Sequence, residues 1–304
     1  MRNTPLVSVI IPTYKSGHTL KNAIDSVLDQ TYKDIEIIVV DDNNNNTEYR
    51  EKTELVMKNY ENENKVIYIK HDKNRNGAAA RNTGFKHSKG EYVCFLDDDD
   101  VFLPSKVEKQ AIFLEKNNKF QAVYCWRYQH GEVIKYEKVG DLSEELLTLT
   151  FTPYTSSIMI KKECYQDLGG FDESYRRHQD YEFLLRFFER FSIGVIREPL
   201  IEIIGNDVNN GLKGIELERL KDQFLNQFSH QIDIVDKKQK NFKKLVLSKH
   251  YSTVFFSYCR LFRIGSASRI FLKYSLICGL SFWKCNLSYL IKYLSVKRKN
   301  NDND

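Results

Sequence analysis

The sequence predicts a doubly wound, mostly parallel α/β sheet over residues 1–205, followed by a helical segment over residues 206–304. Three observations carry this. Short β-branched runs alternate with segments whose apolar residues recur at helical spacing, the pattern of a parallel sheet covered on both faces. Two acidic clusters fall where strands end, which is where such sheets bind ligands. Charge divides the chain: residues 206–304 hold 18 Lys and Arg against 8 Asp and Glu, whereas the whole chain holds 46 against 41, a formal net charge of +5. An acidic first part and a strongly basic second part predict different partners for the two.

A length of 304 residues suits one large or two modest domains with a sizeable core. Charged residues at 29% with aromatics at 13% exclude a disordered chain. The six cysteines lack any CxxC spacing, which argues against a disulfide scaffold or zinc module and predicts a reducing cytoplasm. No leader is expected, because residues 1–5 run straight into a strand-like segment.

Val7, Val9, Ile10 and Ile11 form the first strand, expected to stop at Pro12. Leu20, Ala23, Ile24, Val27 and Leu28 mark the first helix. Residues 35–40 are a second buried strand running into Asp41 and Asp42. Asn43 to Asn46 is a low-complexity patch, read as a loop, before a polar helix. A strand at 66–69, a helix at 78–87 and a strand at 92–96 follow, the last ending in Asp97, Asp98, Asp99 and Asp100. After Leu103 and Pro104 the pattern gives a helix to about 117, a strand at 122–126 and a hairpin at 131–139. A short helix at 143–149, a strand at 156–160 and an aromatic-faced helix at 180–191 complete the first part. Beyond 206, Tyr251, Val254, Phe255, Tyr258, Leu261 and Phe262 recur at helical spacing.

Four adjacent carboxylates repel one another, so a folded site keeps them only beside positive charge. Hard divalent cations such as Mg²⁺ or Mn²⁺, carrying a substrate diphosphate, suit an acidic run at a strand end better than a solvated turn does. An EF-hand is excluded by the missing Gly and Glu spacing. Asp41 and Asp42 either accept hydrogen bonds from a base or ribose, or cap a helix. Residues 76–82 put small side chains at a helix start ahead of Arg81, which reads either as close ligand approach with a phosphate-binding guanidinium or as an ordinary helix start. No GxGxxG or P-loop is present. Asp180 is either a helix cap or, facing a cleft, a general base.

Together these residues resemble the family-2 glycosyltransferases with a GT-A fold. The matching elements are residues 7–14, Val39 to Asp42, Asn76-Gly77 with Ala80-Arg81-Asn82-Thr83-Gly84, Gly90-Glu91-Tyr92, Phe95 to Asp100 with Leu103-Pro104, Gly169-Gly170-Phe171-Asp172, and Asp180-Tyr181-Glu182. They keep their order across about two hundred residues, and the resemblance covers residues 6–205. It implies that Pro12, Tyr14 and Asp42 frame a nucleotide base, with Asp41 assisting and Arg81 near the nucleotide pocket. It implies that Asp97 completes a DxD-like spacing, Asp98 contacts ribose or donor sugar, and Asp99 binds Mn²⁺ or Mg²⁺. Asp180 is then the base that deprotonates an acceptor hydroxyl, and a single displacement inverts the anomeric centre. Two departures stand out: Gln179 replaces the usual Glu before Asp180, and residues 43–46 replace a Gly/Ser-rich turn.

By the same analogy the expected activity is hexosyl or N-acetylhexosaminyl transfer from a UDP-sugar to a glycan or lipid-linked acceptor in bacterial surface-polysaccharide assembly, at the inner face of the cytoplasmic membrane. The basic tail bears on that setting. Residues 237–300 contain no acid and many aromatics, including Phe255, Phe256, Phe271, Phe282, Trp283 and Tyr293. That composition suits peripheral contact with an anionic membrane surface, or a packed helical subdomain with a solvated basic face. Lys273 and Lys284 interrupt the stretch too closely for a span. Two other classes compete: an inactive sugar-nucleotide-binding module, and a nucleic-acid binder, which no RRM, OB or helix-turn-helix signature supports.

Overall fold

The computed structural model describes residues 4–17, 19–205 and 211–301, except the side chains of 292–301. The expected leaderless start at residues 1–3, the boundary at Asn206 and the Tyr293 ring lie outside them. The chain divides into two compact units, Met1–Ser143 with Pro153–Asn206, and Glu144–Thr152 with Asp207–Asp304.

The first unit begins β1 (Val7–Thr13), α1 (Thr19–Leu28), β2 (Ile35–Asp41), α2 (Glu48–Met57), β3 (Val66–Lys70), α3 (Gly77–His87) and β4 (Tyr92–Phe95). Then come β5 (Asp100–Phe102), α4 (Lys106–Lys116), β6 (Ala122–Gln129) and β7 (Glu132–Ile134). After α5 (Ser143–Leu147), which belongs to the second unit from Glu144 on, the first unit continues with β8 (Ile158–Lys161), α6 (Lys162–Asp167), α7 (Gln179–Phe188) and β9 (Ile193–Ile203). The nine-stranded sheet has the order β3-β2-β1-β4-β8-β6-β9-β5, with β7 on β6. The first four strands are parallel, β8 runs antiparallel to β4 and β6, β9 is parallel to β6, and β5 is antiparallel to β9. The sheet is therefore mixed.

β1 runs through Pro12 to Thr13 rather than stopping at the proline. The Val7 N–H donates to Asp34, while the Ile10 carbonyl accepts from Leu96, so even-numbered residues of β1 face β4. The β1–β4 pairing ends at Ile10 and Phe95, and Pro12 lies one step beyond it. Its missing N–H removes no ladder bond. Sequence patterning passes over β9, because Arg197, Glu198 and Pro199 break its apolar run. It also passes over α6 and β5, only six and three residues long.

Both sheet faces are covered. Val7, Val9, Ile11, Ile37 and Val39 pack with the buried sides of α1 and α4. On the opposite face α3 lies so close to β1 that a Cβ on Gly84 would sit 2.4 Å from the Ile10 side chain. There Phe95, Tyr165, Phe171 and Phe183 form an aromatic cluster with centroids 4.8–5.7 Å apart. Such pairs each add about 0.5–1.5 kcal/mol beyond area burial.

The second unit contains α8 (Ile215–Gln227), α9 (Ser229–Lys238), α10 (Phe242–Arg260), α11 (Ile264–Cys278) and α12 (Leu280–Asn301). Its core holds Phe224, Val246, Val254, Tyr258, Ile270 and Phe282, and Tyr251 stacks on Tyr274 at 3.7 Å. His250 Nε2 lies 3.0 Å from the Leu147 carbonyl, joining residues 144–152 to this unit. Periodicity places Phe262 on the buried face of α10. Instead the helix ends at Arg260, the Phe262 backbone has φ +55°, and its ring is 88% exposed. Among the described residues no helix is long and apolar enough to cross a membrane.

Candidate active site

The carboxyl ends of β1, β2 and β4 collect most of the expected site residues. After Pro12 the chain bends at Tyr14, whose ring is 43% exposed, and Lys15, whose Nζ lies 5.2 Å from the Tyr14 centroid and 5.6 Å from that of Tyr49. The Lys15 N–H donates to Asn43 Oδ1 at 2.9 Å, tying the end of β1 to the end of β2. The result is an exposed aromatic platform with a cation against it.

The apparent low complexity of residues 43–46 hides specific bonding. Asn43 Nδ2 donates to Asp41 at 2.8 Å, Asn44 Oδ1 accepts from the Asn74 N–H, and Asn45 N–H donates to the Asp72 carbonyl. Asn46 takes φ +58°, a conformation Asn tolerates better than most residues, just before Thr47 caps α2.

Asp41 and Asp42 hold these loops in place. Asp41 is fully buried and accepts from Asn43 N–H, Asn43 Nδ2 and the Tyr68 hydroxyl, with Arg50 Nη1 at 3.3 Å. Arg50 Nη2 in turn donates to the carbonyls of Asn43 and His71. Asp42 accepts from His71 Nδ1 and Arg75 N–H on one oxygen, and from Asn74 Nδ2 and Asn76 N–H on the other, all at 2.7–2.9 Å. A carboxylate can only accept, so His71 carries its proton on Nδ1, leaving Nε2 toward the Thr83 hydroxyl at 2.9 Å. A base N–H reaching Asp42 would have to replace one of these bonds. Neither carboxylate caps a helix.

Asn76, at φ +86°, caps α3 by accepting from the N–H groups of Ala78 and Ala79. The helix presents two residues to the site. Asn82 clamps the turn before α7: its Oδ1 accepts from Phe171 N–H and its Nδ2 donates to the Phe171 carbonyl, both at 2.9 Å. Gly170, at φ +79°, makes room for that clamp, since a Cβ there would lie 2.5 Å from Asn82 Oδ1. Arg81 reaches in two directions, donating to Asp97 at 2.5 Å and to Gln179 Oε1 at 2.8 Å, with its guanidinium 5.6 Å from the Phe171 centroid. Arg81 thereby joins the acidic strand end to the residue next to Asp180.

The four consecutive aspartates occupy four environments, and their mutual repulsion persists at Asp98 and Asp100. Asp97 is paired with Arg81, and its N–H donates to Ser156 Oγ. Asp98 is pushed up to about 7 by burial and then by its neighbours Asp99 and Asp97, partly offset by the Thr13 and Ser16 hydroxyls. Its Oδ2 is buried with no hydrogen-bond partner. Asp99 packs on Gly205, where a Cβ would fall 2.0 Å from Asp99 Oδ2. Asp100 is buried, accepts from Ser156 Oγ at 2.9 Å, and is raised by burial and by Asp97 and Asp99.

Asp180 lies inside the first turn of α7, and the cap position belongs to His178 at φ +62°. Its carboxyl accepts from the Tyr181 N–H at 2.9 Å. Burial raises it from an ordinary 3.8 to about 6, with Arg81 working the other way. Glu182 has a structural place, holding Arg186, which donates to the Leu168 and Gly170 carbonyls. The amide of Gln179 accepts from Arg81 without adding charge and donates to the Tyr175 carbonyl at 2.8 Å. Sequence reasoning missed Arg50, His71, Ser156 and Gly205, whose parts depend on contacts between distant segments. Among the described residues no group of three or more His, Cys, Asp or Glu side chains stands ready to hold a metal alone.

Comparison with known proteins bears on the family and the fold. The profile described as "Glycosyl transferase family 2" matches residues 8–174. The uncharacterized glycosyltransferase MJ1057 of Methanocaldococcus jannaschii is 32% identical over 226 residues, 71% of this chain and 76% of that protein. The amylovoran biosynthesis glycosyltransferase AmsB of Erwinia amylovora is 30% identical over 207 residues, 64% of this chain and 67% of that protein. The crystal structure of S. aureus TarS 1-349 in complex with UDP-GlcNAc aligns with a TM-score of 0.60 at 16% identity, covering 89% of this chain and 92% of that one. The chain spans 44% of the longer TarS structure. That likeness establishes the fold, the mixed α/β sheet of GT-A glycosyltransferases with helices after it. The chain belongs to glycosyl transferase family 2 and is a glycosyltransferase.

Proposed function

We propose that the chain is an inverting, metal-dependent transferase that moves a hexosyl or N-acetylhexosaminyl group from a UDP-sugar to a hydroxyl of a glycan or lipid-linked acceptor. The observation that carries this reading is the Arg81 bridge, which sets Asp97 and the neighbour of Asp180 on one guanidinium. The printed names of relatives support the setting: AmsB serves amylovoran biosynthesis, and the TarS fragment was solved with UDP-GlcNAc. The pathway class is bacterial surface-polysaccharide assembly at the inner face of the cytoplasmic membrane.

The exposed Tyr14 ring, just after Pro12 at the end of β1, offers a stacking face for the base. Asp41 and Asp42 fix the loops around that face. Asp99 fits Mn²⁺ or Mg²⁺, which take one or two carboxylates together with substrate phosphates. The orphaned Asp98 oxygen, and carboxyls that raise one another's proton affinity, are what a cation would relieve. Such a cation supplies charge neutralisation for the departing diphosphate.

The chain's own residues do the rest. Asp97 holds Arg81 toward the nucleotide, and Asp98 accepts from a donor hydroxyl. Asp180 takes the acceptor hydroxyl proton as that oxygen bonds to the anomeric carbon and the bond to the nucleoside diphosphate breaks. An acceptor on the Asp180 side attacks opposite the leaving group, so an α-linked donor yields a β-glycoside. A panel of UDP-sugars with Mn²⁺ or Mg²⁺, followed by NMR of the product linkage, tests this. A β-linkage is expected, and an α-linked product overturns the single displacement.

A further inference from the structure

The helices α11 and α12 carry an apolar surface that the catalytic reading does not use. Leu272, Leu276, Leu280, Trp283, Leu287 and Ile291 are all exposed, Leu276 by 87% and Leu280 by 77%. They recur at three- and four-residue steps along each helix, so they form stripes rather than scattered residues. The opposite sides, at Tyr274, Cys278 and Phe282, are buried in the unit's core. The Phe271 ring meets Trp283 edge-on at 4.8 Å, which joins the two helices at this surface. Beside them Phe255, Cys259, Phe262, Ile264, Phe271 and Leu272 line an open groove of roughly 530 Å³, a size suited to a ligand chain.

The charge around this surface has one sign. Arg260, Arg263, Lys273 and Lys284 are exposed, and residues 237–300 contain no acid. Arg269 is committed to Glu218 at 2.7 Å and is not counted with them. An apolar face with an exposed Trp and a border of exposed cations complements an anionic lipid monolayer. No described helix can span a bilayer, so contact lies in the plane of the surface.

We infer that α11 and α12 lie in the headgroup layer of an anionic membrane, with the stripes in the acyl boundary and the groove receiving a lipid chain. Nucleic acid is disfavoured because the exposed side chains between the cations are mainly Leu and Ile, which give no stacking platform. The inference rests, for its biological purpose, on the lipid-linked acceptor proposed above. Its observations are independent of catalysis.

The test is co-sedimentation of the full chain with phosphatidylcholine vesicles, with and without phosphatidylglycerol. Binding to the anionic vesicles is expected, with a blue-shifted Trp fluorescence that Trp283→Phe removes. Leu276→Glu with Leu280→Glu should abolish binding, and both positions are exposed, so folding is retained. Each of Arg263→Gln, Lys273→Gln and Lys284→Gln should weaken binding about five-fold. Failure to bind, or binding unmoved by the two Glu substitutions, overturns the inference. Self-association or RNA binding through the same residues, without vesicle binding, also overturns it in favour of that partner. UDP-sugar turnover in vesicle-free buffer is read alongside: its absence with vesicle binding intact sinks the catalytic reading alone.

Discussion

Replacing Asp180 with Asn separates activity from stability in opposite directions. Burial holds the Asp180 carboxyl at about 6 rather than 3.8. The folded chain therefore binds this proton more tightly than the unfolded chain does. Below about pH 4 both states are protonated and nothing is lost. As pH rises from about 4 to about 6 the folded state loses stability relative to the unfolded one, and above that the cost is constant. The difference from 3.8 to about 6 corresponds to roughly 3 kcal/mol, and partial solvent contact brings the working range to about 1–3 kcal/mol. Asp180→Asn should raise stability by that amount at pH 7 and change it little at pH 4. The same substitution should lower kcat/KM by about 10²–10⁴-fold, the usual worth of a positioned base. In the wild type the acid limb of kcat/KM should centre near pH 6, with about a tenth of the base ionised at pH 5. Urea unfolding at the two pH values and a pH–rate profile with a UDP-sugar measure all three. Full activity in Asp180→Asn, or an acid limb near pH 4, refutes the argument.

Two further outcomes follow from the packing. Gly205→Ala pushes the Asp99 carboxylate aside without touching backbone, so donor turnover should fall about 10²-fold while Tm moves by less than about 2 °C; a large fall in Tm would show that Gly205 serves the fold instead. Arg50→Met strands the buried Asp41 charge and should cost about 3–5 kcal/mol in urea unfolding, part of it recovered by adding Asp41→Asn, which removes the charge and keeps an acceptor oxygen for Asn43 and Tyr68.

The run of parallel strands and the acidic strand end were legible because period and position alone define them. Val9, Ile11, Ile37 and Val39 are buried strand residues wherever the rest of the chain goes. The strand β9 was not, because Arg197 and Glu198 are tolerated by its particular place beside β6, which no local pattern encodes. Among site residues, Arg81 and Asp180 stand out by their neighbours in sequence, but that Gln179 links them is a contact across 98 positions. Asp42 shows the reverse limit. A carboxylate at a strand end looks available to a ligand until His71, Asn74, Arg75 and Asn76 are seen to occupy it. Within the Asn43 to Asn46 run, Asn44 and Asn45 looked featureless because their partners, Asn74 and Asp72, lie about 30 residues downstream.

The most direct test of the account is hydrolysis of a UDP-sugar by the wild type and by Asp99→Asn, each with and without Mn²⁺ or Mg²⁺. The account predicts UDP release that requires the added cation and falls at least about 10²-fold in Asp99→Asn. Turnover that is indifferent to the cation, or unchanged in Asp99→Asn, would contradict it.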